Sequence, residues 1–246
     1  MLILALDSSS AGGSAAVVRD DAIAAERAGD SSRTHGERLP RELMAVLDEA
    51  RVRLDEIDAF AIATGPGTFT GLRVGIAAIQ GLALAQGKRV VPISTFEALA
   101  ADFRLKAEAT RGGVTGGGVT RVGVWVDAHR GEVFATLYAG DGTTVLEPPT
   151  SLPPGETLDA WAAALDGLDT LRFAGDGAIR YRAAIDARLG PRADVAAAVP
   201  PLAGTIGRLA AREPGRAVTP HAVVPLYVRR SDAELARDRG RPAGGG

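Results

Sequence analysis

Gly65-Pro66-Gly67-Thr68-Phe69-Thr70-Gly71-Leu72-Arg73-Val74-Gly75 decides how this chain folds. An apolar run, Ala59 to Ala63, leads into it, and a second, Ile76 to Ala85, leaves it. Glycine and proline are the strongest punctuation in a sequence, so the stretch reads as a buried strand turning into a helix. A turn of this kind brings bare backbone close to something, either a phosphate or another protein. It contains no Gly-Lys-Ser or Gly-Lys-Thr, so no lysine reaches a phosphate as in a P-loop. The helix N-terminus would still suit an anion, and tight packing of helix on strand is the plainest use of the glycines. Phe69, an aromatic that such packing does not require, favours a contact surface. The helix expected from Gly71 to Gln86 carries Gly71, Gly75, Ala78 and Gly81, small residues that let another backbone approach.

Upstream, Leu2 to Leu6 is an apolar strand closing on Asp7-Ser8-Ser9-Ser10. Gly12 and Gly13 allow a tight turn into a returning strand, Ser14 to Val18, and Ala22 to Arg27 reads as a third. Thr34-His35-Gly36-Glu37 has the form of a capping box. The helix behind it sets Leu39, Leu43, Val46, Leu47, Ala50 and Leu54 at steps of three and four, one apolar stripe. Asp58 to Thr64 is the strand before the glycine turn. Val90 to Ile93 is a strand after it, and Thr95 to Leu105 a helix. Residues 111–120 hold five glycines in ten positions and read as a mobile joint. Beyond it the layout restarts: an apolar strand Val122 to Val126 ends in Asp127, a polar turn follows, and Glu132 to Tyr138 alternates as a returning strand. Asp7 and Asp127 therefore hold matching places in two copies of one unit. A helix from Thr157 to Leu165, a strand from Leu171 into Gly175-Asp176-Gly177, helices Tyr181 to Leu189 and Leu202 to Arg212, and an extended Pro225 to Arg230 complete the pattern. The expected organisation is a lobe over 1–110, the joint, a second lobe over 121–230, and a disordered tail over 231–246.

With 246 residues, 46% of them hydrophobic, the chain can bury one large core or two smaller ones sharing an interface. The formal net charge of -2 gives no global pull towards nucleic acid or membrane, although it leaves room for a local basic patch. The absence of cysteine excludes disulfides, thiolate metal sites and cysteine nucleophiles, and fits a cytoplasmic address. No apolar run approaches the roughly 20 residues of a membrane span. Asp7 with Ser8 and Ser9 could hold magnesium and phosphate oxygens, but an Asx-turn capping local amides is the plainer reading. After Asp127, Arg130 stands where a phosphate loop wants a small residue. His35, His129 and His221 lie in separate segments with no helical pair among them, which argues against a metal site. Gly-x-Ser-x-Gly is absent and nothing points to a hydrolase triad.

Several segments together resemble the TsaB (YeaZ) family: Leu4 to Ser9, Thr34 to Pro40, the Gly65 to Gly75 turn, Ala78 to Ala83, Ile93 to Leu99, Val126 to Phe134 and Tyr227 to Arg230. The turn is the most specific of them. The resemblance implies an α/β, actin-like ATPase fold with two lobes, each a mixed sheet with flanking helices. It implies an accessory subunit, without catalytic residues of its own, of the machinery that makes threonylcarbamoyladenosine at tRNA position 37. TsaB is a paralogue of TsaD, the transferase, whose His-x-x-x-His metal pair corresponds here to Thr95 and Leu99; neither replaces an imidazole. The implied partners are TsaD in a heterodimer, the ATPase TsaE, a second copy when the chain is alone, and tRNA through the complex, with no membrane. No cofactor is required by this subunit, and ATP or ADP would sit at a complex interface. The interface residues expected are Leu43, Val46, Leu47, Phe69, Gly71, Arg73, Gly75, Ile76, Ala78, Ile79 and Leu82. Asp7, Ser8, Ser9, Asp127, Gly175, Asp176 and Gly177 would be the remnant of a nucleotide site. The rival readings are an ATPase or kinase of the same superfold, and a peptidase acting on TsaD.

Overall fold

In the computed structural model, which describes residues 1–110, 121–168 and 170–229, the apolar runs become the inner strands of two sheets. The joint at 111–120 and the tail at 231–246 lie outside the described residues. In chain order the first part comprises β1 (Leu2–Asp7), β2 (Ser14–Arg19), β3 (Ala22–Ala28), α1 (His35–Ala50), β4 (Ala59–Ala63), α2 (Phe69–Ala85), β5 (Arg89–Ile93) and α3 (Thr95–Thr110). The second comprises β6 (Arg121–Asp127), β7 (Val133–Tyr138), β8 (Val145–Leu152), α4 (Pro154–Ala160), α5 (Ala162–Leu165), β9 (Leu171–Ala174), α6 (Asp176–Arg180), α7 (Arg182–Leu189), β10 (Ala193–Val195) and α8 (Ala203–Arg212).

The sheets are ordered β3-β2-β1-β4-β5 and β8-β7-β6-β9-β10. In each, the first three strands form an antiparallel meander and the last two run parallel to the first. The two units thus share one topology. Asp7 and Asp127 close the equivalent strands β1 and β6, opposite Ser14 and Val133.

Three apolar layers hold the molecule together. The outer face of the first sheet packs against α1 and α2 through Leu39, Leu43, Val46, Phe60, Ile76 and Ile79. The outer face of the second packs against α4 to α7 around Trp125, Trp161 and Phe173, whose rings meet edge to face with centroids 5.6–6.1 Å apart. Between the sheets lies a shared core with α3 and α8 at its centre, built on Ile3, Val91, Phe96, Leu99, Val124, Leu202 and Ile206.

That middle layer crosses the expected division at 110 and 121. α3 packs on β6 and β9 of the second sheet, while α8, from the far end of the chain, packs across β1 to β5 of the first. The first sheet also supplies α8 with its cap. Ser14 Oγ accepts hydrogen bonds from the amides of Leu202 and Ala203 at 3.0 and 2.9 Å, and a Glu26 carboxylate oxygen accepts one from Gly204 at 2.6 Å. These satisfy orphan donors at a helix start and place a negative charge where the dipole favours it. Beyond α8, Val218 bridges to Val90 of β5 and Val223 sits in the core under α2. Each sheet is therefore covered by a helix that the other half of the sequence supplies.

Candidate functional site

The glycine turn is pinned from three sides. Thr68 N–H donates to the Ser9 carbonyl at 2.7 Å, Thr95 N–H to the Gly65 carbonyl at 2.7 Å, and Leu226 N–H to the Thr64 carbonyl at 2.7 Å. A Cβ on Gly67 would overlap the Ser9 backbone, one on Gly71 the Ser8 carbonyl, and one on Gly75 the Ser8 hydroxyl. The backbone that these glycines admit is the exit of β1. Gly71 and Gly75, expected at a partner interface, are thus corrected to internal packing positions, because α2 lies directly on the Ser8–Ser9 turn.

The same correction applies to Leu43, Val46, Leu47, Ile76 and Ile79, all buried in the core beneath α1 and α2. Phe69 and Arg73 are exposed, and Ala78 and Leu82 partly so. The outward face of α2 runs instead through Thr70, Arg73, Ala77, Gly81 and Leu84, at steps of three and four. Leu84 is 74% exposed, a Cβ at Gly81 would meet open space, and Met44 on α1 is 52% exposed. The sequence displays this small, apolar stripe as openly as the buried one. Its phase relative to the sheet, set by Leu72, Ile76, Ile79 and Ala83 facing inwards, is what the linear reading lacked.

Asp7, Asp127 and Asp176 stand where β1, β6 and α6 end or begin. Their carboxylates are already engaged. Asp7 Oδ1 accepts from Ser9 N–H at 2.9 Å, and Asp127 Oδ1 from His129 N–H at 3.1 Å. Both are Asx-turns, the plainer of the two sequence readings. Asp176 Oδ1 accepts from the amides of Asp127 and Gly177 at 3.0 and 2.8 Å. Arg180 and the His129 ring lie 3.1 and 3.4 Å from the other Asp127 oxygen. Burial pushes the Asp7 carboxyl above the ordinary carboxylate range, and the charge of Asp176 adds to this, against the bonds from Ser9. Gly175 and Gly177 admit the Trp125–Asp127 backbone of β6, so they too serve packing.

Asp7 and Asp176 share a cavity of about 20 Å³, walled by Thr95, Leu99, Val199 and Leu202 among others, while Asp127 faces a separate opening beside the glycine turn. That volume holds about one water molecule, whereas small-ligand sites span roughly 300–1,000 Å³. The side chains of α3 and α8 occupy the room between the lobes. Ser8 Oγ and Thr95 Oγ1, both buried, have no hydrogen-bond partner among the described residues. Thr95 and Leu99 lie one helical turn apart at the start of α3 and are both buried. Among the described residues no cluster of three or more His, Cys, Asp or Glu side chains is placed to hold a metal ion.

Arg38 escaped sequence reading. It is 4% exposed, it pairs with Glu42 at 2.6 Å, and it donates to the carbonyls of Ala11 and Gly12 in the β1–β2 turn. An arginine one residue after a capping box looks like any solvated helix charge. Only the tertiary approach of the turn reveals its use.

Comparison with known proteins gives a consistent picture. Residues 28–199 match the family model described as TsaD, tRNA N6-adenosine threonylcarbamoyltransferase. An uncharacterised Mycobacterium leprae protein is 29% identical over 245 residues, covering 95% of this chain and 56% of its own length. The Escherichia coli tRNA threonylcarbamoyladenosine biosynthesis protein TsaB is 33% identical over 141 residues, 57% of this chain and 56% of the relative. The chain thus spans little more than half the length of either. The solved structure of YeaZ from Pseudomonas aeruginosa superposes with a TM-score of 0.71 at 28% identity, over 92% of this chain and 99% of that one. Component A of the Acidaminococcus fermentans (R)-2-hydroxyglutaryl-CoA dehydratase, at 11% identity and a TM-score of 0.51, shares the fold alone, an actin-like ATPase architecture. No helix among the described residues is long and apolar enough to cross a membrane.

Proposed function

The chain belongs to the family described as TsaD, tRNA N6-adenosine threonylcarbamoyltransferase, and is a TsaB-like member of it, so we propose that it is a non-catalytic subunit that docks and activates the transferase. Its TsaB relatives tie it to tRNA threonylcarbamoyladenosine biosynthesis. The observation that carries the non-catalytic reading is the filled centre of the fold. Where the acidic residues of both units meet, the cavity is about 20 Å³, too small for a nucleotide or an acyl adenylate. The same observation weighs against an ATPase or kinase working at Asp7 and Asp176.

What the chain offers a partner is surface. The outward stripe of α2, with Ala77, Gly81 and Leu84 beside Met44 of α1, lets a second helix approach closely and gives it apolar area. A TsaD-type transferase would dock on this stripe, and a second copy of the chain would take its place when no transferase is present. By binding only the competent arrangement of the transferase, the chain raises the population of that arrangement. The joint surface would then receive the TsaE ATPase. The subunit would then work in the cytoplasm with the tRNA.

The test is a reconstituted reaction with the cognate transferase, threonylcarbamoyl adenylate and unmodified tRNA, reading modified nucleoside by mass spectrometry. Product should form with this chain present and fall at least tenfold without it. Equal product in its absence would end the proposal.

A further inference from the structure

A second cavity, about 440 Å³, opens beside the glycine turn, between residues 66–72, the β6–β7 turn and residues 226–229. Its volume lies in the range of small-ligand sites, roughly 300–1,000 Å³. Phe69 and Tyr227 line it with each residue 47% exposed, their ring centroids 6.0 Å apart. Large aromatics left half in water forgo burial energy, so their placement calls for a reason. They are also held in position. The Arg73 guanidinium lies 3.7 Å from the Phe69 centroid, and its Nε donates to the Tyr227 hydroxyl at 3.2 Å. Arg229, 5.9 Å from the Phe134 ring, lines the opposite part and is tied to Glu132 at 2.9 Å.

Arg229 lines the cavity and Arg73 stands beside it against the aromatic pair, while Asp127, also in the lining, pairs with Arg180, and Glu132 pairs with Arg229. A chain of formal net charge -2 thus sets two guanidinium groups, those of Arg73 and Arg229, beside exposed aromatic rings. Aromatic faces with guanidinium groups alongside are the means by which proteins hold single-stranded nucleic acid: bases stack, and phosphates meet the cations.

We infer that this cavity binds an unpaired nucleotide of an RNA strand, its base against Phe69 and Tyr227 and its phosphate towards Arg73 and Arg229. The subunit thereby touches the RNA itself rather than acting only through its partner. The inference rests on the proposed role in tRNA modification for the choice of RNA. It is tested on the full chain alone, so that loss of RNA binding and loss of partner docking read separately.

The probes are a fluorescently labelled single-stranded RNA heptamer, the duplex of the same sequence, and AMP. The heptamer should bind more tightly as salt falls. Phe69→Ala and Tyr227→Ala should each weaken it about 5- to 140-fold, the range for loss of one base–aromatic stack. Tyr227→Phe, which keeps the ring, should retain most of the binding. Crosslinking of a heptamer carrying 4-thiouridine to the unmodified chain needs no variant, and adducts should map to the peptides holding Phe69 or Tyr227. AMP binding as tightly as the heptamer would reassign the cavity to a free nucleotide and overturn the inference. So would equal affinity for the duplex, adducts confined to other peptides, or no heptamer binding by a chain whose Phe69→Ala variant loses its protein partner instead.

Discussion

Asp7 shows how a residue type that can do chemistry is used here for structure. In sequence, an acid at a strand end followed by serines fits a magnesium–phosphate site as well as a turn cap. In the fold it caps Ser9, is 3% exposed and shares its surroundings with Asp176. Because burial raises its pKa above the ordinary value of 3.8, ionising it in the folded state costs stability. The sign follows from linkage: the favourable contribution is complete below the unfolded pKa and is lost as pH rises through the folded one. Asp7→Asn keeps an oxygen for the Ser9 amide and removes the charge. Thermal melts should therefore find the variant more stable than the parent at pH 7, with the advantage vanishing as pH is lowered below 3.8. A variant less stable at pH 7 would mean that the carboxylate charge is needed, as a bound cation would require. Asp127 looks equivalent in sequence. It is instead neutralised by Arg180, a partner 53 residues away that no local pattern reveals.

At the scale of the element, α2 separates what the sequence could tell from what it could not. Its start at the glycine turn, its length and its small-residue content were all legible, because glycine, proline and apolar spacing act locally. Which small residues face inwards was not, since that depends on where the Ser8–Ser9 turn presses against the helix. Two glycines make the distinction measurable. Glycine to alanine in a helix normally gains about 1 kcal/mol. At Gly81, where a Cβ meets open space, Gly81→Ala should realise that gain. At Gly75 the Cβ would overlap Ser8, and overpacking costs about 1–3 kcal/mol, so the penalty wins and Gly75→Ala should lower the denaturation midpoint. Equal shifts in both variants would place Gly75 on the outer face after all. β8 escaped for another local reason. Its Pro148 and Pro149 argue against a strand, yet an edge position tolerates proline, and β8 is the edge of its sheet. The short α6 and β10 were missed because three to five residues carry too little periodicity.

The whole molecule follows from the duplication, which the paired motifs around Asp7 and Asp127 made visible and the shared strand order bears out. The linear reading could not see the exchange of α3 and α8 between the sheets. Contacts between the two ends of a chain leave no local trace; Ser14 capping α8 across 188 residues is the plainest example. That exchange fills the room between the lobes with Leu99, Val199 and Leu202, and moves the account of function from an interior site to the outer stripe of α2. The most direct measurement is the sedimentation or light-scattering mass of the chain mixed with its TsaD-type transferase, for the parent and for Ala77→Glu and Leu84→Glu. Both positions are exposed, so melting temperatures should stay close to the parent, with stability changed by no more than about 0.5 kcal/mol. The account predicts a one-to-one complex with the parent chain and at least a tenfold loss of affinity in each variant. Binding by both variants within twofold of the parent would contradict it.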